Sequence, residues 1–294
     1  MNLITDFLKQ SKNYSVLVVG ETITDEFIKV LYQGQSMKSF CPVFQLTSAP
    51  AEQQLGGAYA IYRHLKDFVG KIDLISNAPE EIVKTRYIDA NDGVKHLELN
   101  KFDLKRKDEI KVDVSKYDVV IVADFGHGFC DQVNINDGFH LMCQTNSHNF
   151  GFNRISKWKS KKKKSICIDL REASLQINHR ISSCTDDIMK ELYNYELSTE
   201  HLFVTTGKEG SVYTDGKNIS RQSSFKTQIV DTIGAGDAFF GFSALCTAMN
   251  VPDDQKLIIP SLAASLTTTW LCNEKNVNPQ NLTEHANKHL HAGV

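Results

Sequence analysis

A glycine-rich turn that runs directly into an apolar segment, residues 231–241, most strongly limits the structures open to this chain. Gly234 and Gly236 flank Ala235, Asp237 follows at once, and the apolar pattern after it predicts a helix. Glycine lets the backbone turn sharply and approach a ligand closely. A helix that begins at such a turn also directs free N–H groups outward. The segment therefore predicts an anion site, most simply for a phosphate, at the start of a helix.

A carboxylate beside a phosphate site repels the ligand, so the presence of Asp237 indicates a specific function. The position favours a catalytic base that removes a proton from a hydroxyl group as it attacks the phosphorus atom. The alternative is that Asp237 only caps the helix and that the glycines only turn the chain. A lone glycine pair would favour that alternative, whereas the acid and the motifs described below favour catalysis.

Composition narrows the class of protein. The chain has 294 residues, of which 41% are hydrophobic and 23% charged, so we expect one large α/β domain or two ordinary ones. A formal net charge of −2 gives no reason to expect nucleic acid or an anionic membrane as a partner. The seven cysteines include no C-x-x-C pair, and neither a disulfide framework nor a zinc site is predicted. With no signal-peptide pattern and no apolar run of about 18 residues, the sequence predicts a cytoplasmic protein.

Short β-branched and apolar runs recur along the chain and predict strands, namely residues 14–20, 71–76, 118–123, 165–170 and 201–205. Helical patterns separate most of them, which predicts parallel βαβ units. Ligands of such sheets lie beyond the carboxyl ends of the strands. Gly20, Asp124 and Asp169 lie at or near those ends.

Two stretches interrupt this alternation. Residues 29–55 are polar and strand-like, and residues 85–112 contain strand-like runs on both sides of the segment 91–93, Asn-Asp-Gly. That tripeptide predicts a hairpin turn. From the residues alone, both stretches are interpreted as surface excursions from the core.

The segment D-T-I-G-A-G-D, residues 231–237, resembles the C-terminal signature of the ribokinase-like (PfkB) carbohydrate kinases. Further matches follow along most of the chain in the family's order. The resemblance implies one domain over residues 1–294, with a three-layer α/β/α core around a mostly parallel sheet. It implies that residues 29–55 and 85–112 form a small β-sheet lid over the sugar site, which excludes water as a competing acceptor.

The same resemblance implies an ATP- and Mg²⁺-dependent sugar kinase. In such an enzyme Asp237 is the catalytic base, and the amides of Gly234, Ala235 and Gly236 form the anion hole. Thr232 joins these glycines among the implied nucleotide contacts.

Two further segments are implied to bind the sugar. Asp25 matches the second acid of the family's first-strand motif, and a carboxylate can accept two hydroxyl protons at once; an acid at a strand-to-lid turn is the alternative. Gly56 and Gly57 match the G-G-A at a helix start, where backbone N–H groups approach the sugar. The family usually has asparagine at the position of Ala60, so one polar contact is missing or supplied elsewhere.

Two segments resemble the bacterial heptose-7-phosphate kinase branch, the kinase domain of ADP-heptose synthase. The K-T-R at 84–86 places Arg86 to bind a phosphate already on the sugar, with an exposed strand arginine as the alternative. The D-F-G-H-G at 124–128 resembles a D-Y-G-K-G segment, which implies substrate contact by Asp124 and places His127 where lysine is usual. The implied acceptor is therefore a heptose-phosphate-like sugar.

Amide side chains cluster in residues 144–153. They are suited to bind phosphate or hydroxyl groups. They are equally suited to bond to each other within a tight turn.

Asp169 and Glu172 have the spacing of the family's N-x-x-E motif, which is implied to organise Mg²⁺ and its waters around the triphosphate. Mg²⁺ prefers oxygen ligands, so an aspartate in the asparagine position is chemically tolerable. Thr205 and Gly207 match a T-x-G unit that is implied to contact nucleotide phosphates and is also an ordinary hairpin signal.

The motif order predicts an ATP-dependent carbohydrate kinase. The alternatives are a kinase for another acceptor, such as a nucleoside or ketose, and a catalytically silent sugar- or nucleotide-binding protein. The expected partners are a small-molecule acceptor, a second copy of the chain through the lid, and a separate nucleotidyltransferase acting downstream, since the sequence has no H-x-G-H motif. Neither nucleic acid nor membrane is expected as a partner.

Overall fold

Strands dominate the first two thirds of the chain and longer helices the last third. The computed structural model describes residues 3–105, 109–195 and 197–290. The strands there are β1 (Ser15–Gly20), β2 (Thr22–Gln35), β3 (Pro42–Leu46), β4 (Glu52–Gly57), β5 (Lys71–Ser76), β6 (Ile82–Asp89), β7 (Lys95–Phe102), β8 (Ile110–Val112), β9 (Val119–Asp124), β10 (Val133–Ile135), β11 (Phe139–Cys143), β12 (Lys163–Asp169), β13 (Thr199–Thr205), β14 (Ser211–Thr214) and β15 (Ile219–Gln222). The α-helices are α1 (Leu3–Ser11), α2 (Ala58–Leu65), α3 (Leu170–Gln176), α4 (Asp186–Asn194), α5 (Ala235–Ala248), α6 (Ile258–Thr267) and α7 (Pro279–Leu290).

The central sheet has eight strands in the order β15-β14-β13-β12-β11-β9-β1-β5. The pairs from β5 to β13 are parallel, and only β14 and β15 are antiparallel. Each strand predicted from an apolar run is present in this sheet, which confirms the mostly parallel α/β fold. The parallel order brings the carboxyl ends of β1, β9, β12 and β13 to one edge, where Gly20, Asp124, Asp169 and Thr205 lie.

Both faces of the sheet are covered, which explains why its inner strands are continuous apolar runs. Val16 and Val18 of β1 pack on the face that carries α1, α2, α5, α6 and α7. Leu17 and Val19 pack on the opposite face, against α3, α4 and the 3₁₀ turn Ile155–Trp158. On this second face, residues 125–138 and 144–162 contain 3₁₀ turns and short strands instead of the expected crossover helices.

The lid is a five-stranded sheet of β3-β2-β6-β7, with β4 paired to β2. It begins at the carboxyl edge of the central sheet, because a single residue, Glu21, separates the end of β1 from the start of β2. The Asn-Asp-Gly segment forms the predicted turn between the antiparallel strands β6 and β7. The lid strands begin at Thr22 and Ile82, earlier than expected, and residues 110–112 pair with β10 instead. Residues 106–108 of the expected lid lie outside the described residues.

None of the helices among the described residues combines the length and the apolar character that a bilayer crossing requires.

Candidate active site

A cavity of about 1290 Å³ lies between the lid, the carboxyl edge of the central sheet and the start of α5. The predicted site residues that line it are Asp25, Gly57, Arg86, Asp169, Glu172, Thr205, Gly207, Thr232, Gly234, Ala235, Gly236 and Asp237. Residues that are more than 200 positions apart in the chain therefore meet in one space. Gly56 adjoins this wall, since a Cβ at Gly56 would lie 3.0 Å from Asp25 Oδ2.

The glycine-rich turn before α5 has the backbone geometry that an anion site needs. Gly234 is the N-cap residue of α5 and has a φ of 85°, a left-handed conformation that favours glycine. A Cβ at this position would also lie 2.8 Å from Asn273 Oδ1. Gly236, by contrast, faces open space. The Ala235 N–H donates to Thr232 O at 3.3 Å. Among the described residues the N–H groups of Gly234 and Gly236 have no hydrogen-bond partner, so they are available to a ligand in the cavity.

Asp237 lies in the first turn of α5 and is 9% exposed. Burial, with a smaller contribution from the nearby Asp25 carboxylate, raises the pKa of Asp237 to about 7. The Lys84 ammonium and the Gly57 amide act in the opposite direction. A carboxylate with a pKa near the working pH is well suited to accept a proton from a hydroxyl group.

Asp25 and Arg86 form a buried ion pair in the lid wall of the cavity. Arg86 Nε also donates to Glu98 Oε2 at 3.0 Å. The guanidinium is thus engaged by two carboxylates before any ligand binds, and the exposed-arginine alternative is wrong because Arg86 is 7% exposed.

Lys84, two residues before Arg86 on β6, also lines the cavity. Burial lowers its pKa, although the carboxylates of Asp25, Glu98 and Asp237 oppose that effect. No group in the described part of the chain forms a hydrogen bond or ion pair with its ammonium group. The sequence analysis singled out the arginine of this segment and missed the lysine, which is the unpaired cation.

Asn273 is a second lining residue that the sequence analysis missed. It is buried in the loop after α6, and its Nδ2 lies 3.4 Å from Asp25 Oδ2. Its backbone N–H donates to Gln54 Oε1 at 2.8 Å. Asn273 thereby places an amide side chain between Asp25 and Gly234, and no local motif marks it. Ala60, where the family usually has asparagine, is buried in α2.

Asp169 and Glu172 form the N-terminal cap of α3 at the other end of the cavity. Asp169 Oδ1 accepts the Glu172 N–H at 2.7 Å, and Glu172 Oε2 accepts the Asp169 N–H at 2.9 Å. Glu172 Oε1 accepts the Thr145 N–H at 3.1 Å. Burial, followed by the Asp169 charge, raises the pKa of Glu172 to about 8.

This acidic pair fits a hard cation on the Asp169 side. Asp169 is exposed to the cavity, and an ionised carboxylate offers oxygen atoms of the kind that Mg²⁺ binds. Glu172 is occupied by two amides and is better placed to orient than to bind directly. Thr205 and Gly207 lie next to it at the end of β13, and Gly207 has open space around its Cα.

Asp124 was predicted to contact the substrate, but the structure places it behind the cavity wall. It is fully buried. Its Oδ1 accepts hydrogen bonds from Gly126 N and Asn153 Nδ2, each at 3.0 Å. Its Oδ2 accepts from Trp158 Nε1 at 2.8 Å and pairs with Lys157 Nζ at 2.8 Å. With both oxygens satisfied, Asp124 joins the crossovers of the second face instead of facing a ligand.

Glu21 is the buried neighbour of Asp124 and was not singled out from the sequence. It accepts backbone N–H groups from Phe125 at 2.5 Å, Phe129 at 3.1 Å and His127 at 3.2 Å. Burial, with Asp124 as the next cause, raises the pKa of Glu21 to about 8. The carboxyl group fixes the loop that follows β9.

His127 cannot replace the charge of the lysine usual at its position. Both of its ring nitrogens are buried and find no hydrogen-bond partner within residues 3–105, 109–195 and 197–290. The ring packs 4.8 Å from Phe102 and stacks 5.7 Å from His148, measured between centroids. Burial, and then Lys84, lowers the pKa of His127 to about 3, so the imidazole is neutral at pH 7.

The amide cluster at 144–153 bonds mainly within its own turn. Asn149 Oδ1 accepts the N–H groups of Asn146 and Gly151 at 3.2 and 3.1 Å. Asn153 Nδ2 donates to Gln144 O at 3.1 Å. Of the two interpretations open at the sequence level, the internal one describes these contacts.

Comparison with known proteins finds one matching family and a partial sequence relative. Residues 166–271 match the model of the pfkB family carbohydrate kinases. The ribokinase of Lactococcus lactis subsp. lactis (strain IL1403) is 31% identical over 81 residues, which cover 28% of this chain and 25% of that protein. The matched segment thus spans about a quarter of its relative.

Solved structures extend the likeness to the whole chain. The Arabidopsis thaliana ribokinase complexed with ribose and ATP has a TM-score of 0.67 at 12% identity, covering 93% of this chain and 98% of that one. The nucleoside kinase of Methanocaldococcus jannaschii, an archaeal member of the ribokinase family, has a TM-score of 0.64 at 17% identity, covering 95% and 100%. Such identities establish the fold alone.

The sequence match includes Asp169, Glu172, the T-x-G unit and the glycine-rich turn. The lid and the Asp25 segment lie outside it and resemble known structures in fold. This chain therefore shares two things with the pfkB family carbohydrate kinases and the ribokinases: a matching segment over residues 166–271 and the fold.

Proposed function

We propose that the protein is an ATP-dependent carbohydrate kinase that transfers the γ-phosphoryl group of ATP to a hydroxyl of a sugar or sugar phosphate. The observation that carries the proposal is Asp237, a carboxyl group with a pKa of about 7 in the first turn of a helix that begins at the left-handed Gly234. It shares its cavity with Asp25, a buried acid in the lid wall. A protein that only bound ligand would have no use for a base beside a phosphate site.

The residues divide the cavity into a nucleotide end and an acceptor end. ATP lies along the carboxyl edge of the central sheet and contacts Thr205 and Gly207. Its terminal phosphates lie over residues 232–236. The amides of Gly234 and Gly236 stabilise the charge that develops on the transferred group. Asp237 orients the acceptor hydroxyl and takes its proton.

Asp169 is the candidate ligand of Mg²⁺, and Glu172 orients the shell around it. When bound, Mg²⁺ neutralises charge on the phosphates.

Two side chains at the acceptor end recognise the sugar. Asp25 is held by Arg86 and Asn273 and accepts sugar hydroxyls. Lys84 retains an unpaired ammonium group and binds an anionic end of the acceptor. This arrangement favours a heptose-phosphate-like sugar over a neutral one, with Lys84 in the role that the sequence assigned to Arg86.

The remaining parts of the proposal concern partners. The exposed face of the lid carries Tyr32, Leu46, Leu97 and Leu99, and we expect it to pair two copies of the chain. A separate nucleotidyltransferase would use the phosphorylated product. The cytoplasmic location expected from the cysteine pattern stays a prediction.

The direct test is ADP release from Mg·ATP with a panel of heptose phosphates, other sugar phosphates, neutral sugars, ketoses and nucleosides. Thermal shift on the same panel measures binding independently of turnover, since a ligand of the native state raises the melting temperature. We expect ADP release with at least one phosphorylated sugar that also stabilises the protein. Release only with nucleosides or neutral ketoses would overturn the acceptor class. Stabilisation without any ADP release would overturn the kinase assignment.

A further inference from the structure

The lid and the glycine-rich turn are joined by an ion pair. Lys95, the first residue of the lid strand β7, places its Nζ 3.0 and 3.2 Å from the two carboxylate oxygens of Asp231. Asp231 is the first residue of the turn that leads into α5, and its side chain is 7% exposed. The pair spans 136 positions of sequence and joins the tip of the lid to the candidate anion site.

Asp231 has a second set of contacts, which lie inside the turn itself. Its Oδ1 accepts the N–H groups of Thr232 at 2.8 Å and Ile233 at 3.2 Å. One carboxylate therefore holds the backbone of the turn on one side and the ammonium group of Lys95 on the other. Moving the carboxylate would change the direction of the amides that follow, because the hydrogen bonds fix the backbone at 232 and 233.

An apolar contact runs beside this ion pair. Phe27 of β2 and Ile88 of β6 form a small cluster with Cys272, separate from the two main core clusters, and Ile233 packs against it. The lid thus rests on the turn through side chains of both kinds. The apolar contact holds the lid near the turn but does not fix an orientation, because the hydrophobic effect is non-directional. The ion pair, in contrast, fixes the position of the Asp231 carboxylate.

We propose that Lys95 is a positioning residue for phosphoryl transfer, acting through Asp231 to hold residues 232–236 in the geometry that receives the transferred group. The inference rests on the kinase function proposed above. Lys95 touches neither ATP nor acceptor; with the lid closed it fixes the carboxylate that fixes the turn. The anion site is then complete only when the lid is in place, which couples acceptor enclosure to catalysis.

The test compares Lys95→Met with Lys95→Arg and with Lys101→Met. Lys101 lies six positions further along the same lid strand and is exposed. Amide hydrogen exchange at Thr232 and Ile233 in the ligand-free protein reads the turn directly, and steady-state kinetics read the reaction. We expect Lys95→Met to speed exchange at these two amides about tenfold and to lower kcat about tenfold, with KM for ATP changed less. Lys95→Arg should restore most of both properties, and Lys101→Met should change neither.

A merely structural ion pair gives another pattern. Lys95→Met would then lower the melting temperature while leaving kcat and the exchange of both amides unchanged, and this would overturn the proposal. So would an equal loss in Lys101→Met. If the parent protein released no ADP with any acceptor, the kinase function would fail, but the exchange comparison would still decide whether the lid holds the turn.

Discussion

Two clusters of buried acids lie within the same edge of the fold and have opposite characters. Asp25 and Asp237 line the cavity, and Glu21 and Asp124 lie behind it. Burial raises the pKa of one acid in each cluster, to about 7 for Asp237 and to about 8 for Glu21. What separates the clusters is how the protein satisfies them: three backbone amides hold Glu21, whereas Asp237 opens to a cavity.

The lysines of the two clusters show the same contrast. Lys157 bonds Asp124 at 2.8 Å and Asp131 at 2.5 Å, so its charge is used within the protein. In the part of the chain that the structure describes, Lys84 has longer-range attractions to Asp25, Glu98 and Asp237 but no bonded partner. Perturbed pKa values occur in both clusters, so they do not by themselves mark a catalytic site. What distinguishes the two clusters is access to the cavity, which Asp237 and Lys84 line.

The largest expected effect is on turnover by Asp237→Asn. An asparagine keeps the size of the side chain but cannot take a proton from the acceptor hydroxyl. Loss of a general base commonly lowers the rate about 10² to 10⁴-fold, and we expect a decrease of kcat in that range with ATP binding retained. ADP release and thermal shift with Mg·ATP measure the two properties.

Asp187→Asn is the matched control, because Asp187 is also an acid in the first turn of a helix but is exposed on α4. It should leave kcat unchanged. In the parent protein kcat/KM should rise as the pH passes through about 7, where Asp237 loses its proton. Equal turnover by Asp237→Asn and the parent would remove this residue from the mechanism.

The largest effect on stability is expected from Asp124→Ala. Removing this carboxylate leaves Trp158, Asn153 and Lys157 without their buried acceptor. Breaking a buried pair on one side typically costs about 3 to 5 kcal/mol, and urea unfolding should show a loss of that order.

The exposed partner of the same lysine supplies the control. Asp131 is paired with Lys157 but its side chain is 61% exposed, and surface pairs contribute about 0 to 1 kcal/mol. Asp131→Ala should therefore change the free energy of unfolding little. If both alanine variants had similar stabilities, the interpretation of Asp124 as a structural acid would be wrong.

The sequence was sufficient for the parts of this structure that depend on local pattern. The buried strands were predicted because both faces of a parallel sheet are covered, which makes runs such as 119–123 continuously apolar. The turn before α5 was predicted because glycine geometry and a following helix are both local. The hairpin at 91–93 follows from turn chemistry alone.

Contacts between distant segments could not be predicted. An acid at a strand end has the same local sequence whether it faces a cavity or the core, and Asp124 was misplaced because Asn153 and Trp158 decide its environment. Asn273 had no signal, since its importance comes from Asp25, 248 positions away. The crossovers on the second face need no helices, because Cys130, Ile155 and Trp158 of their 3₁₀ turns pack on that face together with α3 and α4.

The pH dependence of the free energy of unfolding should reveal the contribution of Glu21. Its pKa in the folded state, about 8, lies above the ordinary value of 4.5, so the native protein retains a proton that the unfolded chain loses. Stability from this group is complete below about pH 4.5 and is lost as the pH rises toward 8. Glu21→Gln should flatten the decline in the free energy of unfolding across that interval.

Slopes are the quantity to compare, because glutamine also disturbs the three amides and shifts stability at every pH. Some slope should remain, since Glu172 and Asp237 have raised pKa values of the same sign. An unchanged slope in Glu21→Gln would show that Glu21 is ionised throughout and that the amides outweigh its burial.

The smallest change in kinetics is expected from Lys84→Met, which tests whether Lys84, unlike Lys157, acts on a ligand. We expect KM for a phosphorylated acceptor to increase about tenfold, which corresponds to about 1.4 kcal/mol of lost binding free energy. KM for the unphosphorylated counterpart should not change, because it has no charge for Lys84 to bind. Lys84 also lowers the pKa of Asp237, so its removal should move the midpoint of the pH–rate profile to higher pH. Equal KM changes for both acceptors, together with an unchanged midpoint of the pH–rate profile, would contradict this prediction. Lys84 would then neither bind the phosphate of the acceptor nor lower the pKa of Asp237.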